Sequence, residues 1–383
     1  MDAYMIPRTI FSPEHEMFRA SLRKFLEREI APHHAQWEED GIVAREAWEK
    51  AGREGILLMS TPAAYGGQGL DRLFSVVMIE ELARLNLSGP FFHLHSEIVA
   101  PYILNHGTEA QKSTWLPRMA RGETIGAIAM TEPSGGSDLQ SMRTTARRDG
   151  DDYVINGQKT FISNGQNCDL VVVAAKTGKG GAKDVSLIVV EPAKAPGFRR
   201  GRNLDKVGMH AQDTSELFFD DVQVPAENLL GEGEGRGFVQ LMQELAWERL
   251  SCALGAVTSM ERAVEVTADY VKQRNAFGKP LMAFQNTQFR LAECKTKAVI
   301  ARSFTDDLMV KLMAGELDPV TAAMAKWWTT QSLTEVADEC LQLHGGYGYM
   351  NEYPIAQIWA DARVTKIFAG TNEIMKMLIA RSL

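Results

Sequence analysis

At 383 residues the chain is longer than one ordinary hydrophobic core serves, so two or three domains are expected. Hydrophobic residues make up 45% and charged residues 23%, an ordinary globular balance, and a net charge of −8 argues against a nucleic-acid binder. The four cysteines (Cys168, Cys252, Cys294 and Cys340) are far apart with no CxxC pair, which suggests reduced thiols and no metal site.

In chain order, MDAYMIPRTIFSPEHE (1–16) has no basic segment leading into an apolar one, so it is not a signal peptide, and it is too acidic for a transit peptide. No apolar run approaches the roughly 20 residues that span a bilayer, and a cytoplasmic location without a membrane span is expected. Ser12-Pro13 reads as a helix cap and first position, followed by Phe18, Leu22, Phe25 and Leu26 at helical spacing. Further helical stretches are predicted near 44–55, 71–86 and 96–121, broken by STPAAYGGQGL (60–70). From about residue 126 the period changes. YVI-NG-QKTFI (153–162) reads as a strand, an Asn-Gly turn and a strand. DLVVVAA (169–175), VSLIVVE (185–191) and SELFFDDVQV (215–224) read as further strands, with KTGKGGAKD (176–184) as a loop. GEGEGRG (231–237) reads as a flexible linker, since Glu232 and Glu234 would repel a phosphate. Helical periodicity then returns, with Asp318-Pro319 starting one helix and Gly345-Gly346 ending it. The reading is an α+β chain of three domains: helical 1–125, an antiparallel β-barrel-like unit 126–237, and a helical bundle 238–383.

Five segments could carry chemistry. MTEPSGGSD (130–138) sets Thr131 and Ser137 around Gly135-Gly136, where backbone amides could converge on a ligand; a plain surface turn explains it equally well. QRNAFGKP (273–280) flanks Phe277 with Arg274 and Lys279, which suits a nucleotide diphosphate or a helix end capped by Gly278. LQLHGGYGYMNEYP (341–354) has more glycines than a helix stop needs. KIFAGTNEIMK (366–376) turns at Ala369-Gly370-Thr371 and has nothing at the turn to carry a proton. ELAWERLSCALG (244–255) places Glu248 in an apolar stripe of Leu241, Leu245, Cys252 and Gly255. A desolvated carboxylate there would suit a general base near neutrality, or it could simply pair with Arg249.

AMTEPSGGSDL, INGQKTFISNG, QRNAFGKP, LQLHGGYGY and AGTNEIMK, in this order, resemble blocks of the acyl-CoA dehydrogenase family over essentially the whole chain. FSPEHEMFR, MHAQDTSELFFDDVQVP, TAAMAKWW and GYMNEYPIA resemble its long-chain branch. The resemblance implies a helical domain, a β domain and a C-terminal four-helix bundle, packed as a homotetramer. It also implies FAD as cofactor, an acyl-CoA substrate and electron-transfer flavoprotein as acceptor. Thr131 and nearby amides would then hold the flavin edge, with Ile128, Met130, Gly136 and Ile162 adjoining. Ser137 would lie by the pyrophosphate and the acyl-CoA, and Phe161 and Ser163 would cover the ring; many relatives have Trp where Phe161 stands. Arg274, Phe277, Gln285, Gln342, Leu343, Gly345 and Gly346 would reach the FAD of a neighbouring subunit, and Thr371 and Glu373 would hold its pyrophosphate side. Lys183, Arg249, Ala369 and Gly370 would meet the substrate. Many members carry the base immediately before the Gly-Thr pair, where this chain has Ala369. The long-chain and isovaleryl branches place it in an ER pair, which here is Glu248-Arg249. Such relatives often have Tyr nine residues before the base, where this chain has Val239. An oxidase of the same fold and an inactive flavin-binding homologue acting as a binding protein are the rival functions.

Overall fold

The computed structural model describes residues 6–178 and 182–383. Six helices form the first unit: α1 (Pro13–Phe25), α2 (Ala31–Asp40), α3 (Arg45–Arg53), α4 (Arg72–Arg84), α5 (Ala100–His106) and α6 (Glu109–Ala120). Ser12 caps α1 as expected, its amide donating to His15 Nδ1 at 2.9 Å. The single stretch predicted over 96–121 is two helices. Gly107 breaks it, and Thr108 starts the second with a capping box, its Oγ1 accepting from the Gln111 amide. A π-helical turn, Leu94–Val99, leads directly into α5.

The middle unit is a seven-stranded sheet of β1 (Gly126–Ala129), β2 (Thr145–Asp149), β3 (Asp152–Ser163), β4 (Leu170–Lys176), β5 (Val185–Val190), β6 (Phe198–Asn203) and β7 (Thr214–Pro225). The strand order is β1-β4-β2-β3-β7-β6, with β5 on β4. The sheet is mixed rather than wholly antiparallel, because β1 pairs parallel with β4 and β2 meets β4 in parallel at Thr145 and Lys176. The hairpin predicted at 153–162 is not formed. β3 runs straight through Asn156-Gly157 and pairs with β7 on both sides of a bulge there. Asn156 is occupied across the strands, its Nδ2 donating to Asp221 and its Oδ1 accepting from the Asp221 amide. Gly157 has a φ of 150°, and a Cβ on it would lie 2.5 Å from Thr144 Oγ1, so the glycine serves close packing rather than chain reversal. The loop 176–184 lies partly outside the described residues. GEGEGRG is pinned rather than free: Tyr153 donates to Glu234, and the Gly235 amide donates to Ser186 Oγ.

The third unit holds α7 (Gly237–Gln273), α8 (Gln285–Met313), α9 (Pro319–His344), α10 (Pro354–Thr365) and α11 (Asn372–Ala380). Val257, Met260, Cys294, Ala298, Leu333, Val336 and Ile355 form the core between α7, α8, α9 and α10. A second core, with Leu73, Val76 and Ile79 against Trp247, Leu250, Leu308 and Met309, fastens α4 to α7 and α8. Between α7 and α8, Phe277 (φ 51°) and Gly278 (φ 79°) turn a two-residue hairpin between β8 (Asn275–Ala276) and β9 (Lys279–Pro280). Gly278 is therefore a hairpin residue and not a helix cap.

Candidate active site

Glu248 lies in the middle of α7 and is buried, with 4% of its surface exposed. Tyr102 on α5, itself fully buried, donates its hydroxyl to Glu248 Oε1 at 2.7 Å. Burial is the largest influence on the carboxyl and pushes it up to about 7, aided by nearby Glu244 and opposed by Tyr102 and Arg249. The adjacent Arg249 forms no hydrogen bond with it, and Arg249 Nε is buried without any partner. One turn earlier, Glu244 accepts from Asn105 Nδ2 at 2.9 Å and lies 3.1 Å from His106 Nε2. These bonds hold Glu244 below the usual carboxylate range against the opposing effect of burial.

The Ala369–Asn372 turn is held from beneath. Lys326 on α9 is fully buried and donates to Gly370 O at 2.7 Å and to Asn372 Oδ1 at 3.1 Å. Asn372 Oδ1 also accepts from Thr330 Oγ1, while its Nδ2 is buried without a partner. Ala369 takes a left-handed φ of 53° and Gly370 one of 88°. Thr371 caps α11, with its Oγ1 accepting from the Ile374 amide. A cavity of about 120 Å³ lies between α7 and the residue just before this turn, with Cys252 and Phe368 in its wall. Ser251, Cys252, Gly255, Ala256 and Ser259 make its α7 side, and Ile79, Leu82, Phe91, Ile358 and Ala362 add apolar surface.

The remaining expected site residues fall into two groups. In the sheet unit, Thr131 O accepts from the Thr160 amide, and the buried Lys159 ties Met130 O and Glu132 to β3. Ile128 and Ile162 are buried, Met130, Thr131 and Ser163 are half-buried, and Gly136 and Ser137 are exposed. Phe161 is 67% exposed with φ 59°, a strained conformation for an aromatic residue inside a strand. In the helical unit, the Arg274 guanidinium lies 5.4 Å from the Tyr347 ring, and Tyr270 stacks on His344. Phe277 is 95% exposed, Gln285, Gln342, Gly345 and Gly346 are exposed, and Leu343 is half-buried. Among the described residues, no hydrogen bond, ion pair or ring contact joins this group to Thr131 or Phe161. Lys183 is exposed beside the 235 turn, and Glu373 is exposed at the start of α11. Exposed aromatic faces, strained backbone and accessible glycine backbone on separate surfaces fit a large, flat, polar-edged cofactor gripped from two sides.

Several residues of the site were not expected from sequence. Tyr102, Glu244, His106, Lys159 and Lys326 all belong to it structurally. Tyr102 sits in an ordinary apolar run, PYILNH, and only its spacing of four from His106 hints at a polar helix face. Among the described residues, no group of three His, Cys, Asp or Glu side chains could hold a metal ion.

Family models match three consecutive stretches: "Acyl-CoA dehydrogenase, N-terminal domain" over 12–123, the "middle domain" over 127–222 and the "C-terminal domain" over 235–383. The chain is 51% identical over 379 residues to the mitochondrial long-chain specific acyl-CoA dehydrogenase of Mus musculus, covering 98% of this chain and 88% of that protein. It superposes on a crystal structure of acyl-CoA dehydrogenase from Geobacillus kaustophilus with a TM-score of 0.96 at 51% identity, covering 98% of this chain and 99% of that one. A glutaryl-CoA dehydrogenase from Mycobacterium smegmatis in complex with FADH2 superposes with a TM-score of 0.89 at 29% identity, covering 97% and 95%.

Proposed function

The chain belongs to the acyl-CoA dehydrogenase family, and from that premise we propose how its own residues carry out the reaction. It is an FAD-dependent oxidoreductase that dehydrogenates an acyl-CoA thioester. Glu248 is the base that takes the proton from the α carbon. The observation that carries this is a buried carboxyl in the middle of α7, pushed up to about 7 by burial and bonded, among the described residues, through Oε1 alone, on a chain whose turn at 369 offers alanine. Tyr102 holds Oε1, and Oε2 receives the proton. Ala369 leaves room for a carboxylate to approach from α7.

The residues of the two groups would hold FAD. Met130, Thr131, Gly136 and Ser137 offer backbone and hydroxyl groups, Phe161, Ile162 and Ser163 a surface for the ring, and Thr371 and Glu373 a polar edge. When bound, FAD supplies the acceptor for the hydride leaving the β carbon. Arg274, Phe277, Gln285, Gln342, Gly345 and Gly346 are exposed on a single chain and, with the half-buried Leu343, would complete the site of a second copy, so we read the working form as a homotetramer. Ser137, Lys183, Arg249, Ala369 and Gly370 would meet the substrate. The acyl tail lies in the cavity along α7, which runs from Cys252 to Ser259, and a medium, long or branched chain is proposed. Electron-transfer flavoprotein is the proposed acceptor of the electrons, because a closed, largely apolar pocket around the reduced flavin would keep oxygen out while product is bound. Domain limits at 125/126 and 237/238 belong to the same reading. No helix of the described residues is long and apolar enough to cross a membrane. The four cysteines are free, which favours a reducing compartment, and the cytoplasm is proposed, although the mouse relative is mitochondrial by name.

Anaerobic titration of the purified holoprotein with a panel of acyl-CoAs tests the proposal. Bleaching of the flavin band is expected and ranks the chains. A protein that takes up no FAD, or whose flavin no acyl-CoA bleaches, overturns it.

A further inference from the structure

This inference rests on Glu248 as the base and concerns what surrounds it. Where α5 meets α7, each helix presents two polar groups one turn apart: Tyr102 and His106 on α5, Glu248 and Glu244 on α7. They form two rungs, Tyr102 to Glu248 at 2.7 Å and His106 to Glu244 at 3.1 Å, and Asn105 adds a bond to Glu244 at 2.9 Å. Tyr102, Glu244 and Glu248 are buried. Packing alone would favour apolar side chains at such an interface, because burying two carboxyls and a phenol costs free energy unless they are bonded. Two carboxyls on one buried helix face also repel each other. The arrangement therefore asks for a reason beyond stability.

We propose that Tyr102 and Glu244 are positioning residues for Glu248. The Tyr102 hydroxyl fixes Oε1 and leaves Oε2 for the substrate, and Glu244, kept ionised by His106 and Asn105, sets a fixed negative charge one turn away that makes Glu248 the stronger base. The other groups acting here are Arg249 on α7 itself, Arg72 from α4 acting on Glu244, and Lys326 from α9, which Arg249 repels. The two rungs push Glu248 in opposite directions. The Tyr102 bond favours its ionised form, and the Glu244 charge disfavours it. A neutral structural role for the pair would have no such signature.

The test is the pH dependence of single-turnover flavin reduction in the FAD-loaded enzyme, with lauroyl-CoA or palmitoyl-CoA, whichever reduces faster. Tyr102→Phe should move the acid limb of the rate to higher pH by about one unit, and Glu244→Gln should move it to lower pH by about one unit. FAD content and the unfolding midpoint are read for each variant, and if Tyr102→Phe does not fold, Glu244→Gln alone decides. Limbs that stay where the parent's lies, or that move in the same direction, overturn the proposal. Glu248→Gln is measured alongside. If it still reduces its flavin, the base itself is misassigned; if it is inert while the other two limbs are unmoved, the base stands and this inference falls.

Discussion

Glu248 is the residue at which the proposed chemistry and stability conflict. Its carboxyl titrates near 7 in the folded chain against about 4.5 unfolded. The unfolded state therefore releases this proton first as pH rises, and the buried carboxyl costs stability progressively between pH 4.5 and 7. Above that window the cost is about 3 kcal/mol. Glu248→Gln keeps the shape and can still accept from Tyr102. It should be more stable than the parent at pH 8 by up to that amount and nearly equal to it below pH 4.5, as urea unfolding at the two pH values would show. The same substitution should lower flavin reduction at least 10²–10⁴-fold, the usual share of a positioned general base, as stopped-flow absorbance would show. Moving the carboxyl with Glu248→Ala and Ala369→Glu should restore part of that loss, since the left-handed φ at 369 is already imposed by the turn. How much of the site could be read from sequence is clearest here. Glu248 stood out because an acid among leucines on one helical face is rare, and Arg249 because it is adjacent. Tyr102 and Lys326 were invisible, because their partners lie 146 and 44 residues away and their own neighbourhoods read as ordinary apolar helix.

At the scale of elements, the long helices and the strands rich in Val and Ile were legible because their period is their burial pattern. The sheet strands that escaped are β1, buried throughout but only four residues long, and two whose faces carry no such pattern. β2 is TARRD with only Ala146 buried, and β6 is FRRGRN with nothing fully buried. The Asn156-Gly157 pair misled because a bulge and a turn use the same residues, and only the pairing with β7 decides between them. Gly157→Ala should lose about 1–3 kcal/mol in thermal or urea unfolding, because its Cβ would meet Thr144 and its backbone angle suits glycine. The Ala369–Asn372 turn depends in turn on α9. Lys326→Met removes the ammonium that satisfies Gly370 O and Asn372 and should cost about 2–4 kcal/mol. FAD retention should fall with it, as gel filtration followed by a flavin spectrum would reveal.

The whole molecule is joined by charges as much as by its cores. Glu80 on α4 is met by Arg8 at 2.8 Å, Arg302 of α8 at 2.8 Å and Arg19 of α1 at 2.9 Å. Arg302 also reaches Glu261 of α7 at 2.7 Å, and Arg8 reaches Asp306 at 2.7 Å. Despite burial, these cations hold Glu80 down at about 2. Its contribution, about 3 kcal/mol, is fully present above pH 4.5 and is lost as pH falls through 2. Glu80→Gln should therefore lower the thermal midpoint at pH 7, and the difference from the parent should close toward pH 2. The proposed assembly carries its own test: Arg274→Ala should weaken FAD retention and loosen the proposed oligomer together, read by sedimentation with and without added FAD. One consequence of the Glu80 cluster reaches beyond the folded state. Arg8 precedes α1 and belongs to no helix, yet it bridges the first helical unit to the last. Arg8→Ala would leave every helix and the proposed reaction centre intact on paper. It would also remove one of the ties between the two helical units, leaving Arg302 and the α4–α7–α8 core to hold them, and such a protein should show its loss first as a shortened lifetime in the cell.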